Sequence, residues 1–165
     1  MTKRDGQGRS DRRYAVASTA IRLFAERGLD ETTVDDIAAA ADVSSRTFFR
    51  YFTSKESAAF PDHADRVADL RRRLKSRHPS SAPFVTALDV CRQSALKFFD
   101  DPDLYRTRYQ LVRSVPALRD FERIADAAYE EVIAEFIVEE TAAGPLAILM
   151  AKAFAASVVS VVNYA

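Results

Sequence analysis

Apolar residues recur at three- and four-residue steps along nearly the whole chain, and runs of alternating period are scarce, so the pattern predicts helices and no sheet. The first periodic run holds Tyr14, Ala17, Ile21, Phe24 and Ala25, and Gly28 supplies its stop. Before it, residues 1–10 are polar, charged and glycine-containing, which predicts a disordered basic arm. The next segment sets Val34, Ile37, Ala38 and Ala41 on one face. Thr33 is placed to cap it, with Asp36 three residues on in the capping-box arrangement. Asp42 and Val43 interrupt, and Ser44 caps a third short helix that runs to Phe52. So tight a turn often passes through a left-handed residue, which an acidic side chain tolerates better than most. Two short helices joined this closely make a helix-turn-helix.

Ser54 offers a further cap, and Pro61 predicts a kink or break near Phe60 before the helix resumes to about Lys75. Beyond a linker over 76–83, Phe84, Leu88, Cys91, Ala95 and Phe98 are read as one helix face. Leu104, Arg108, Leu111, Val112 and Val115 make a second, and Phe121, Ile124, Ala128, Val132 and Phe136 a third. In the last run Leu146, Leu149, Met150, Phe154, Val158, Val161 and Val162 form a stripe opposite Lys152, Ser160 and Asn163. That is the pattern of a helix packed in protein rather than one crossing a membrane. The expected fold class is all-α: a three-helix helix-turn-helix domain over 11–58, then a helical bundle over 59–165.

Composition changes this picture little. A chain of 165 residues, 48% apolar, suffices for a small reading module on one helical body and is too short for two large domains. The formal net charge is zero, but through His78 there are sixteen Lys and Arg against twelve Asp and Glu, and from Pro79 onward eight against twelve. A basic front and an acidic back suit a DNA-facing module attached to a body that does not touch DNA. A lone Cys91 and an N-terminus without an apolar leader point to the cytoplasm. Catalysis has no support: His63, His78 and Cys91 have neither metal-ligand nor nucleophile-base spacing, so no enzyme, metal or cofactor is expected. A DNA-binding regulator remains, with a helical protein-interaction module as the alternative.

Candidate DNA contacts follow from the third short helix. Phe48 and Phe52, four apart, are expected to face inward onto Ile21, Phe24 and Ile37, which leaves Ser45, Arg46, Thr47, Phe49 and Arg50 outward. Arg46 suits paired hydrogen bonds to guanine, Thr47 a base edge or a thymine methyl, and Ser45 either donation or acceptance. Arg9, Arg12 and Arg13 are candidates for added phosphate or minor-groove contacts, and Arg71 to Arg73 read as a solvated face.

The run from Ile21 to Ser57, IRLFAERGLDETTVDDIAAAADVSSRTFFRYFTSKES, resembles the DNA-binding signature of the tetracycline-repressor (TetR/AcrR) family. The resemblance implies phosphate contacts at Thr33, Ser44, Tyr51 and Lys55, while Phe49 stands where the family frequently carries tyrosine and so lacks its hydroxyl. It implies a ligand-responsive repressor that binds a palindromic double-stranded operator as a homodimer. RTFFRYFTSKE with FPDHADRVADLRRRL is similar to the subgroup of mycofactocin-system regulators, which implies an apolar or acyl-coenzyme A-like effector. Arg106, Tyr109, Gln110 and Arg113 are candidates for an anionic head group, with a solvated polar stripe as the alternative reading. Phe84, Leu88, Phe98 and Phe121 are candidates for an apolar chamber. The helical pattern runs to Ala165 without a cap, so the family's usual last helix is expected to be missing. A truncated chain or a reduced dimer interface is the corresponding expectation.

Overall fold

The computed structural model describes residues 3–76, 81–96, 101–141 and 144–164. Within them the chain forms α1 (Lys3–Arg27), α2 (Val34–Ala40), α3 (Ser45–Tyr51), a short 3-10 helix (Glu56–Ala59), α4 (His63–Lys75), α5 (Pro83–Leu96), α6 (Pro102–Ser114), α7 (Pro116–Glu140) and α8 (Pro145–Tyr164). The fold is all-α, as the periodicity predicts. It divides into two compact units, Met1–Asp62 with Asp101–Glu122, and His63–Asp100 with Arg123–Ala165.

The local signals act where the sequence places them. Gly28 ends α1 at φ 87°, its amide donating to the Phe24 carbonyl at 3.0 Å. α2 closes in a Schellman motif: the Val43 amide reaches back to Ala38 O at 2.9 Å and the Asp42 amide to Ala39 O at 3.3 Å, with Asp42 left-handed at φ 51°. Pro61 separates the 3-10 helix from α4 because its ring nitrogen has no hydrogen to continue the ladder.

The core of the first unit joins Val16, Ala20, Ile21 and Phe24 of α1 to Ile37, Phe48 and Phe52. It also takes in Leu111, Val112 and Leu118, so the unit extends past the expected 11–58 boundary and recruits α6 and the start of α7. A module of roughly sixty residues buries only a modest share of its surface, and these added side chains enlarge its core. Phe60 stacks on Phe121 with centroids 5.1 Å apart. The expected disordered arm is instead helical from Lys3: extending a nucleated helix gains one backbone hydrogen bond per residue, which offsets the cost of a glycine.

In the second unit α4, α5, α8 and most of α7 share a core of Leu70, Leu74, Ala87, Val90, Cys91, Val132, Ile133, Phe136, Ile137, Ala151, Ala155 and Val158. Three expectations are corrected here. Leu88 is 53% exposed, because α5 turns Ala87, Val90 and Cys91 inward. Ile124 is 74% exposed, beside the buried Ala125. On α8 the expected apolar stripe is split: Leu146, Leu149, Met150 and Val161 are exposed, while Val158 of that stripe is buried with Ala151, Ala155 and Val159, and Phe154 packs half-buried against the same core. Small residues at Ala151 and Ala155 let α8 approach its neighbours closely, so the buried face is centred on them and takes in only part of the bulkier stripe. Phe98 lies outside the described residues. No helix among the described residues is long and apolar enough to cross a membrane.

Candidate nucleic-acid interface

Two caps orient the helix-turn-helix. Thr33 and Asp36 form the complete capping box: the Asp36 amide donates to Thr33 Oγ1 at 3.1 Å, and the Thr33 amide donates to Asp36 Oδ2 at 2.9 Å. The Thr33 hydroxyl also donates to Asp36 Oδ2, at 2.5 Å. These bonds from the Thr33 side chain and backbone hold the Asp36 carboxyl below its ordinary range, and Arg27 adds to the effect. Ser44 caps α3 by accepting from the Thr47 amide at 3.1 Å.

Phe48 is fully buried and Phe52 nearly so, and they share one core with Ile21, Phe24 and Ile37. Burying each ring stabilises the unit by roughly 1.5–3 kcal/mol, so rolling α3 about its axis is costly. The inward pair therefore fixes the outward set. Arg46, Phe49 and Arg50 are exposed, and Ser45 and Thr47 half-buried.

Hydrogen bonding gives these side chains distinct polarities. The Ser45 hydroxyl donates to Asp35 Oδ1 at 2.6 Å, so its remaining capacity is to accept. Thr47 Oγ1 accepts from the Ser44 hydroxyl at 3.0 Å, which leaves the Thr47 hydrogen able to donate outward. The Arg50 guanidinium lies 5.1 Å over the Tyr51 ring and donates to the Tyr51 hydroxyl at 3.3 Å, so the two present a cation and a phenol side by side. Asp35 carries no mark of this role in the sequence. Its partner is ten residues away across a turn, and no local spacing signals that pairing.

The residues assigned to phosphate by resemblance divide. Tyr51 is half-buried beside Arg50, and Ser44 serves chiefly as a cap. Lys55 donates to Leu29 O at 2.7 Å and Thr32 O at 3.1 Å, which commits two of its three ammonium hydrogens inside the unit. Arg12 is exposed on α1.

The candidate effector residues fall in different units. Arg106, Tyr109, Gln110 and Arg113 are exposed on α6, with the Arg113 guanidinium 5.8 Å over the Tyr109 ring. Phe121 is taken up by its stack on Phe60. In the second unit Phe84 meets Phe154 edge-on at 5.1 Å. A shallow, open groove lies between Arg71, Leu74, Lys75, Val132, Glu135, Phe136 and Glu139, and none of the candidate residues lines it. No group of metal-ligating side chains occurs among the described residues.

The family described as "Bacterial regulatory proteins, tetR family" matches residues 17–57, the segment that carries this surface. Over 142 residues the chain is 31% identical to the putative mycofactocin biosynthesis transcriptional regulator MftR of Mycobacterium tuberculosis, covering 84% of this chain and 70% of that one. It is 52% identical over 107 residues to the regulator TcmR of Streptomyces glaucescens, covering 60% of this chain and 46% of that protein. A tetR-family regulator of Streptomyces coelicolor A3 superposes with a TM-score of 0.62 at 17% identity, covering 98% of this chain and 82% of that one, a likeness of fold.

Proposed function

The chain belongs to the TetR family of bacterial transcriptional regulators, and from that premise we propose that it is a repressor that reads a specific double-stranded operator through the outward face of α3. The observation that carries this reading is the seating of α3. With Phe48 and Phe52 inward, one turn presents an acceptor at Ser45, a fork of donors at Arg46 and a donor at Thr47. A major-groove edge displays a complementary mixture of donors and acceptors.

A homodimer on a palindromic operator is the second part of the proposal. The outward apolar face of α8, with Leu146, Leu149, Met150 and Val161 in water, supports it, because contiguous apolar area of this kind favours association. Operator symmetry mirrors subunit symmetry. The third part is a small-molecule effector, apolar or acyl-coenzyme A-like, for which family membership is the support.

Selection of bound duplexes from a random pool, followed by a salt titration, tests the reading. A two-fold symmetric site is expected, with affinity falling steeply and linearly on logarithmic axes as salt rises. Recovery of no preferred sequence, or salt-independent binding, overturns it.

A further inference from the structure

Phe49 stands out on the α3 surface. Its ring is 56% exposed on a helix face that also carries Ser45 and Arg46, one turn before it. The ring meets the sealed Phe48 side chain edge-on, with centroids 5.5 Å apart and planes at 90°, so a buried anchor sets the direction of an exposed one. Folding gains little from an aromatic left in water, and Phe49 has no hydroxyl or charge to offer a phosphate.

The chemistry of the groove narrows what such a ring can meet. Base edges in the major groove present hydrogen-bonding groups that a phenyl ring covers without replacing, at a desolvation cost. The apolar exception is the C5 methyl of thymine. Three residues of helix advance about 4.5 Å, on the scale of the ~3.4 Å step between base pairs, so Arg46 and Phe49 are spaced to meet neighbouring pairs.

On the DNA-reading role proposed above, we infer that Phe49 is a specificity-determining residue that selects thymine by packing its ring on the C5 methyl, beside the base pair contacted by Arg46. The missing hydroxyl then marks a change of target, from a phosphate that positions to a base that specifies.

Uracil scanning tests this on the full chain. In a duplex recovered from the random pool, each thymine is replaced in turn by deoxyuridine, which removes the methyl and nothing else. At one thymine of each half-site the wild-type chain should bind about fourfold more weakly, the factor that burial of one methyl group is worth. Phe49→Gln should show no loss at that position, and Phe49→Tyr, which keeps the ring, should retain it. If Phe49→Gln binds too weakly to score, photocrosslinking of wild type to 5-bromodeoxyuridine at the sensitive position decides: attachment at Phe49 supports the assignment, and attachment elsewhere overturns it. A scan in which no thymine matters, or an equal loss in wild type and Phe49→Gln, also overturns it. Either result leaves the DNA-binding role standing, whereas a pool that yields no bound duplex removes that role itself.

Discussion

The Lys55 ammonium lies 2.7 Å from the Leu29 carbonyl oxygen and 3.1 Å from that of Thr32, tying the segment after α3 to the turn between α1 and α2. By resemblance Lys55 was expected to hold a phosphate. Its half-buried position and two backbone acceptors give it a structural task inside the unit.

Lys55→Met should therefore lower unfolding free energy by about 1.5–3 kcal/mol, the range for hydrogen bonds to a charged group, as measured by urea denaturation. The salt dependence of DNA affinity should hardly change. A slope reduced by about 1 with unaltered stability is the opposite result, and it assigns Lys55 to phosphate instead.

Arg46→Ala is expected to cost on the order of 1–3 kcal/mol in operator binding and to relax preference at one base pair, read by repeating the pool selection with the variant. The Arg46 side chain is exposed, so the melting temperature should stay near that of the wild type.

Asp42 holds the left-handed position of the α2–α3 turn at φ 51°. Asp42→Gly relieves a conformation unfavourable to side chains and should leave stability unchanged or raise it by up to about 1 kcal/mol. Asp42→Val should lower it by about 1–2 kcal/mol, since a β-branched residue tolerates this region poorly. Thermal melts of both variants check the pair, and a destabilised glycine variant shows that the carboxylate itself contributes.

The capping box makes stability depend on acid. Hydrogen bonds from Thr33 lower the Asp36 pKa from its ordinary value of 3.8, so the contribution is complete above that value and is lost as pH falls through the lower folded value. Asp36→Asn should melt below wild type at neutral pH, with the gap closing as the pH drops below about 4. A gap independent of pH between 2 and 7, on the order of the whole titration range, removes the carboxylate from the account.

Burial pushes the Cys91 thiol up to about 11. The thiolate is the reactive form, so alkylation by iodoacetamide at about pH 8 should be far slower than for an ordinary thiol of pKa ~8.5, and should recover in denaturant. Fast labelling of the folded chain shows that α5 opens or packs differently.

Caps and stops were readable because they act over a few residues. Thr33 meets Asp36 three positions on, Ser44 meets the Thr47 amide, and Gly28 and Asp42 adopt positive φ where the chain must turn. The outward set on α3 was readable for a related reason, since two phenylalanines four apart leave one arrangement of a short helix that hides both. Helices with apolar residues on more than one face were not readable in this way. Periodicity marks Leu88 and Ile124 as apolar, yet Ala87 and Ala125 beside them are the buried residues, because fit to a neighbouring helix decides between faces.

The amino-acid order by itself settled the all-helical class, the helix-turn-helix and the outward face of α3, because those depend on spacing, caps and turn chemistry within a short stretch of chain. Tertiary structure alone decided that α6 completes the first unit, that α8 buries Ala151, Ala155, Val158 and Val159, that Lys55 binds backbone carbonyls and that Asp35 engages Ser45. Those outcomes join residues distant in sequence, and which groups meet is set by close packing and hydrogen-bond satisfaction in the folded chain, which no local pattern encodes.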